Sequence, residues 1–328
     1  MLRFVAQRLL GMAVTLWLVS IVAFVVIQLP PGDYAEAYLT EKQQSGAVVS
    51  QEELVQMRRF LGIDRPWHEQ YVVWVSDIVL HGNFGHSFEW KRPVTDVIAE
   101  RLPFTLALAF ATLAFMYMVA LPIGIYSAVR QYSIADHAFS LFGYIGLATP
   151  NFLLALVLMY LGQQWFGQSV GGLLSPQYEE APWGWAKLGD FLNHLWVPVV
   201  VLGTSGTAFL VRSMRALMLD ELGKMYVVAA RAAGLSPLRL LLKYPVRMAL
   251  NPIVATLGWR LTFVISGAPI VGVVMSLPDT GPLFLHSLLN QDMPLAGAMV
   301  FIYCALTIIG TFVSDVLLVM LDPRIRMS

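Results

Sequence analysis

Few side chains in this 328-residue sequence have the types and spacing that catalysis or metal binding requires. His81 and His86 have no third ligand at metal-binding spacing, so both are interpreted as surface residues. Carboxylates such as Asp64 and Glu100 form no acid–base pair, no Ser/His/Asp arrangement stands out, and there is no GxxxxGK[ST] phosphate-binding loop. Cys304 is the single cysteine, which excludes an internal disulfide. The sequence therefore favours neither an enzyme nor a metal protein.

Two charged residues stand within long apolar runs, where a charge is unfavourable unless it is paired or functional. Arg260 lies roughly 18 Å into its run at 1.5 Å per residue, and Asp315 lies near the end of another. The two can pair within the chain, Arg260 can face a solute pathway, or its long side chain can snorkel. The residues assigned to this candidate solute pathway are Arg260, Asp315 and Asn151.

Composition indicates a membrane protein. Hydrophobic residues make up 57% of the chain and charged residues 13%, and the mean hydropathy is +0.66. Soluble domains carry about a quarter charged residues, and disordered chains are poor in apolar ones. The 21 basic residues balance the 21 acidic ones, so no overall positive field favours nucleic acid as a partner. The predicted fold class is all-α and polytopic, with membrane lipid around it.

Six stretches approach the roughly 20 apolar residues that a membrane-spanning helix needs. The predicted spans are 9–29, 101–130, 138–164, 195–211, 248–275 and 294–320. The first follows Arg3 and Arg8 but is too long for a signal peptide and ends at Pro30, so we predict a retained anchor.

Lysine and arginine counts predict the orientation. With a cytoplasmic N-terminus, most of these residues lie inside, and the short external loop 276–293 has none. The prediction is that both termini are cytoplasmic (N-in/C-in). The predicted domains are the anchor 1–29, a periplasmic loop 30–101 and a five-span core 102–328.

The predicted periplasmic loop carries signals for two helices. Ser50 and Glu53 form a capping box, and the helix that follows is predicted to end at Gly62. A second helix is predicted between Pro66 and Gly82. Three aromatic residues fall on one face of this second helix: Trp67, Tyr71 and Trp74. They can pack locally or lie at the membrane surface, where Trp and Tyr are enriched.

The segment between the fourth and fifth predicted spans, residues 214–247, is basic and sharply punctuated. Arg215 to Ala233 has helical composition, and Gly234 is predicted to end that helix. Ser236 can cap a second short helix with Pro237 at its first position, and Pro245 ends it.

This segment allows two interpretations. It can be an ordinary positive cytoplasmic loop, or a docking element whose leucines and basic residues fit a groove on a soluble partner. The docking hypothesis assigns the following residues: Ala229, Ala230, Gly234, Leu235, Ser236, Pro237, Leu238, Arg239, Leu242 and Lys243.

Here the sequence resembles a known family. Ala229-Ala230 followed by Gly234 resembles the EAA loop of permease subunits in binding-protein-dependent ABC importers, and ARAAGLSPLRLLLKYPVR is similar to its version in the dipeptide/oligopeptide/nickel branch. Further motifs of that branch stand in order along the chain: Leu61-Gly-Ile-Asp64-Arg65-Pro66, Gly82-Asn-Phe-Gly85-His-Ser87, Arg92-Pro93-Val94, Glu100-Arg101-Leu102-Pro103, Thr149-Pro150-Asn151-Phe152 and Leu321-Asp322-Pro323-Arg324.

The resemblance implies a type I importer permease in the bacterial inner membrane. Its expected partners are a second homologous permease, two cytoplasmic ATPases and a periplasmic or lipid-anchored solute-binding protein. ATP and Mg²⁺ would bind in the ATPases, so no cofactor is expected in this chain, a transport subunit rather than an enzyme. The loop 214–247 would convert ATPase closure into alternating access.

The sequence departs from the family pattern at three places, and the last of them, Gly272, bears on the substrate. Val228 stands where the motif opens with glutamate, Tyr244-Pro-Val-Arg247 replaces its usual end, and Gly272 replaces a glutamate common in the fifth span. Peptides are the expected solutes, and oligosaccharides carried by the same machinery are the alternative. An ion-driven secondary transporter is a further alternative that needs no ATPase.

Overall fold

The computed structural model describes residues 2–29, 51–60, 64–166, 171–266 and 269–321. Within these ranges the regular structure is helical, apart from one β-bridge between His86 and Pro93. The first helices are α1 (Leu2–Gln28), α2 (Gln51–Phe60), α3 (Trp67–His81), α4 (Val94–Val129), α5 (Ile134–Ala148), α6 (Asn151–Phe166) and α7 (Pro176–Glu179). The others are α8 (Trp185–Leu222), α9 (Met225–Ala232), α10 (Pro237–Lys243), α11 (Pro245–Ala255), α12 (Leu257–Ser266), α13 (Pro269–Val274), α14 (Thr280–Leu289) and α15 (Met293–Leu321).

Among the described residues, five helical stretches are long and apolar enough to cross a membrane, and the number is six if a bent pair of helices counts as one span. The predicted all-α polytopic architecture is confirmed, whereas the N-in/C-in orientation stays a prediction. The chain forms two compact units. The first consists of residues 1–9, 104–282 and 306–328, and the second of residues 10–103 and 283–305.

The third span is broken, which corrects the continuous span predicted over 138–164. Helix α5 ends at Ala148, and Thr149 is extended, with φ −85° and ψ 120°. A residue before proline is disfavoured in the helical region, which accounts for this conformation of Thr149 before Pro150. Helix α6 starts at Asn151 and turns 104° away from α5.

The fifth span is also segmented, although the sequence predicts one helix over 248–275. Helices α11 and α12 meet at Thr256, whose φ is −91° and ψ −1°. Gly258 then lies against the sixth span, because a Cβ at this position would stand 2.3 Å from the backbone nitrogen of Thr311. The two spans therefore approach at backbone distance.

The long helix α8 forms much of the core of the first unit, and it extends beyond the predicted span 195–211 at both ends. Pro198 lies inside it, as membrane helices tolerate. Its buried residues pack with α4, α6 and the segment after α13 in one apolar cluster that includes Leu108, Ala155, Val197, Val201 and Met275.

In the second unit, α3 packs on α1. The rings of Tyr71 and Trp74 lie 5.5 and 5.9 Å from that of Phe24, and the hydroxyls of Tyr71 and Ser20 share a hydrogen bond of 2.8 Å. Local packing is therefore confirmed for these two aromatics, while Trp67 stays 57% exposed.

The ends of α3 also match their sequence signals. Pro66 precedes the helix, and Gly82 ends it in the left-handed conformation, with φ 64°. Other predicted features lie outside the described residues, namely Ser50 of the capping box, the stop at Gly62 and the C-terminal motif beyond Leu321.

A buried carboxylate organises the start of α15 in the same unit. Asp292 accepts hydrogen bonds from the Ser87 hydroxyl and from the backbone N–H groups of Glu89 (3.3 Å) and Leu295 (3.4 Å). It thereby caps α15 and holds residues 87–89 against it.

Candidate coupling surface and membrane pathway

The turn after α8 is closed by a small polar cluster. Gly223 ends the helix, and the carboxylate of Glu221 accepts hydrogen bonds from Lys224 Nζ (2.5 Å) and from the Tyr226 hydroxyl. Burial, reinforced by the neighbouring Glu221 carboxylate, raises the pKa of Tyr226 to about 12. The phenol therefore stays protonated and acts as the donor at neutral pH.

Gly223 corrects one prediction. The sequence indicated a single helix over 215–233, but α8 ends at Leu222 and α9 begins at Met225. Arg215 therefore belongs to a membrane-spanning helix, and only residues 225–232 form the first short helix of the loop.

The turn between α9 and α10 depends on Gly234. Its φ is +81°, a conformation that L side chains rarely adopt, and a Cβ there would meet nothing within 4 Å. Ser236 then occupies the N-cap of α10 and Pro237 its first turn, as predicted, but no side-chain hydrogen bond from Ser236 caps the helix. Pro237 and the Ser236 carbonyl, which accepts from Leu240 N–H at 2.9 Å, define the helix start.

One face of the short helices is packed inward. Val227, Ala230 and Leu240 form a buried cluster, with Tyr226, Leu235 and Tyr244 partly buried against it. The rings of Tyr226 and Tyr244 lie 6.2 Å apart. This cluster joins α10 to α9 and fixes the direction in which α10 presents its other face.

The opposite face of α10 is open. Leu238 is 66% exposed and Leu242 55% exposed, whereas Leu240 between them is 5% exposed. Arg239 is exposed, as is Lys243, whose Nζ lies 5.6 Å from the centre of the Tyr244 ring. The face combines apolar and cationic groups, the composition expected of a surface that docks on a protein.

The small residues of the loop divide between the two faces. Ala230 is buried in the cluster, but Ala229, Ala232 and Ala233 are exposed. Close helix contact in this loop therefore depends on Ala230 rather than on the whole run of alanines that the sequence offered.

Arg260 is buried in the fifth span. It is 5% exposed, and its guanidinium lies 5.0 Å from the Phe209 ring centre and 5.8 Å from that of Trp259. Its Nε donates to Thr256 Oγ1 at 3.2 Å. Within the described part of the chain Arg260 forms no ion pair, so aromatic faces surround a cation that no carboxylate neutralises.

Asp315 pairs with Arg8 at 3.2 Å, which corrects the pairing with Arg260 that the sequence allowed. The sequence placed Arg260 and Asp315 in membrane spans. It contained no signal that identified the partner of either residue. Asn151, the third predicted pathway residue, is half-buried at the start of α6.

Besides Asp292, two more buried carboxylates were not predicted from the sequence. Asp136 accepts two hydrogen bonds from Arg215, a residue 79 positions away. No local sequence pattern predicts such a contact. Asp279 is buried near Gly272, where an added Cβ would lie 2.9 Å from its Oδ1 and 2.8 Å from Pro282. The missing side chain at Gly272 thus leaves room that Asp279 and Pro282 use.

Two family profiles match the chain. "Binding-protein-dependent transport system inner membrane component" covers residues 120–327, and the N-terminal membrane component of the same systems covers residues 1–109.

Full-length relatives agree. A Brucella ovis protein is 33% identical over all of both chains. The oligopeptide transport system permease protein of Bacillus subtilis is 32% identical over 94% of each chain, and the dipeptide transport system permease protein of Escherichia coli is 28% identical over 99% of each.

A solved structure shares the fold. The inward-facing MetNI methionine ABC transporter matches with a TM-score of 0.53 at 18% identity, covering 69% of this chain and 96% of that chain. At this identity the match supports the fold alone.

Proposed function

Because the chain belongs to the family of inner-membrane components of binding-protein-dependent transport systems, we propose that it forms half of the membrane pathway of a peptide importer. Full-length relatives that are oligopeptide, di/tripeptide and dipeptide transport system permease proteins support peptides as its solutes. The chain is a multi-pass ABC importer subunit of the inner membrane, which does not favour the ion-driven alternative.

The importer works with ATPase and solute-binding partners. In the arrangement we propose, a second homologous permease completes the pathway, and one ATPase docks on each permease. Both termini of this chain face the cytoplasm, because the positive-inside rule places the basic loop 214–247 there. The division into an anchor (1–29), a periplasmic loop (30–101) and a core (102–328) belongs to the same proposal.

The open face of α10 carries the proposed coupling role. Leu238, Leu242 and Arg239 are exposed on the face opposite the buried cluster that attaches α10 to α9. When the ATPases close on ATP, a helix fixed in this way moves as a unit with α9 and biases the spans toward the other access state. The ATPase subunits hydrolyse ATP, and this chain transmits their movement to its membrane spans through α9 and α10.

A double substitution tests this role. Leu238→Asp with Arg239→Asp should abolish solute uptake in proteoliposomes that contain the assembled importer, while ATP hydrolysis continues without stimulation by the loaded binding protein. Arg231→Asp is the matched control, because it reverses an exposed charge on α9 and leaves α10 unchanged. Normal uptake by the double variant, with the complex intact, would contradict the assignment.

A separate experiment addresses the solute. Calorimetric titration of the cognate binding protein with dipeptides, longer peptides and oligosaccharides should give binding for peptides only. Oligosaccharide binding alone would replace the substrate assignment and leave the coupling role untouched.

We also propose that Arg260 faces the solute pathway. Its support is a buried cation in the fifth span without a carboxylate partner among the described residues, set between Phe209 and Trp259. A peptide carboxylate is the anionic group that this site would recognise.

A further inference from the structure

A groove runs between α5 and α8 in the first unit, along residues 139–147 of α5 and 208–215 of α8. We call it the Arg212 groove. Its main lining residues are Phe139, Gly143, Leu147, Ala208, Val211 and Arg212. Gly143 opens the groove, because a Cβ there would lie 3.9 Å from Cβ of Ala208 and the space beyond it is not filled by a side chain.

Its charge is confined to one end. Arg215 also borders the groove, but both of its interacting nitrogens bond to Asp136, so this pair is neutral. Arg212 is exposed, and no carboxylate within the described residues lies at ion-pair distance from it. The groove therefore has one uncompensated positive group, with the Ser140 hydroxyl on the facing helix.

Beyond that group the lining is largely apolar, and Tyr144 is the polar side chain within it. Ala208 lies one turn of α8 from Arg212, roughly 6 Å along the axis. On α5 the lining continues from Phe139 through Gly143 to Leu147, roughly 12 Å. A cationic end followed by a largely apolar stretch of groove along a membrane span matches the layout of an amphiphile with an anionic head.

The residues around this end have the composition typical of the membrane–water boundary. Ile134 and Tyr132, at the start of α5, are 91% and 74% exposed, and Tyr144 is 58% exposed beside the groove. Exposed tyrosines next to arginines are typical of the headgroup level. A phosphate at Arg212 would thus lie at its natural depth.

We propose that the Arg212 groove binds an anionic phospholipid. The guanidinium of Arg212 holds the phosphate, the Ser140 hydroxyl donates to it, and one acyl chain lies along Gly143 and Leu147. A lipid is favoured over a soluble anion as the ligand, because a soluble anion would make no contact with the apolar half of the groove.

Native mass spectrometry of the full-length protein in detergent, with added phosphatidylglycerol or phosphatidylcholine of identical chains, tests the proposal. Phosphatidylglycerol should bind at least about fivefold more tightly. Arg212→Gln should remove that preference, and Arg212→Lys should restore most of it. Gly143→Leu, which fills the apolar half, should weaken binding of both lipids. Arg130→Gln, at another exposed arginine outside the groove, should behave like the unmodified protein.

Each result decides for or against the groove. Glycerol 3-phosphate should not compete, and full competition by it would place the recognition at a soluble anion and overturn the proposal. Equal lipid retention by all variants overturns it as well. Melting curves without added lipid separate a folding defect from loss of binding, and the Arg212→Lys variant decides the case in which Arg212→Gln unfolds.

Discussion

Asp136 and Arg215 form a two-pronged ion pair between α5 and α8. Nε and Nη2 of Arg215 each lie 2.9 Å from a different carboxylate oxygen of Asp136. The Asp136 side chain is 4% exposed, and its Oδ2 also accepts the Tyr132 N–H at 2.9 Å. The pair joins the first half of the broken third span to α8, the helix that leads into the loop 214–247.

Loss of this pair should loosen the bundle. Asp136→Asn keeps the shape but leaves Arg215 without its counter-charge, and breaking a buried pair in this way costs about 3 kcal/mol. Thermal melting of the purified protein in detergent should show a clear drop in midpoint. Asp220→Asn, at an exposed acidic residue later on α8, should leave the midpoint within experimental error. Equal melting of the two variants would show that the pair contributes nothing.

Gly234 and Gly223 offer a matched pair of glycines in the loop 214–247. An added Cβ meets nothing within 4 Å at either, but φ is +81° at Gly234 and −85° at Gly223. Gly234→Ala should therefore destabilise the loop by about 1–2 kcal/mol through backbone strain and reduce uptake. Gly223→Ala should be neutral or stabilising by up to about 1 kcal/mol. Uptake assays and melting curves on both variants check this, and the reverse order would refute the role of the left-handed turn.

The Tyr226 hydroxyl contact should respond to pH in one direction. Its pKa is raised to about 12 from 10.0, so folding favours the protonated phenol. The stabilisation is fully present below pH 10 and is lost as the pH rises from 10 through 12. Tyr226→Phe should lower stability by about 1–2 kcal/mol at pH 7. The difference in melting midpoint between the two proteins should stay constant from pH 7 to 9 and shrink above pH 10. A difference that shrinks between pH 6 and 8 would point to another group.

Local signals in the sequence predicted local structure well. Gly82 and Gly234 are helix stops in left-handed conformations, and Pro237 opens α10, because these residues act through their own backbone geometry. Pro150 favours the extended conformation of Thr149 that ends α5. The 104° bend depends on what α5 and α6 pack against. Gly223 carried the same type of signal and was overlooked because the flanking residues favour a helix.

The sequence alone could not predict which residues far apart in the chain are in contact. Arg8 and Asp315 were each recognised as charges in or beside apolar runs, yet their pairing follows from helix placement. The same holds for Asp136 with Arg215. Spacing rules apply within one element, whereas these contacts join elements that only the folded bundle brings together.

Arg260 gives the last prediction, which concerns the solute pathway. If its guanidinium meets the carboxylate of a peptide during translocation, Arg260→Met should reduce the uptake rate by about tenfold or more, because a charge-assisted hydrogen bond is lost. Arg260→Lys should recover part of the rate. Arg8→Gln is the control, since it removes another arginine from a membrane helix but one that pairs with Asp315. Uptake of labelled peptide into proteoliposomes gives both rate and apparent affinity. If Arg260→Met leaves both unchanged, Arg260 serves packing against Phe209 and Trp259 rather than transport.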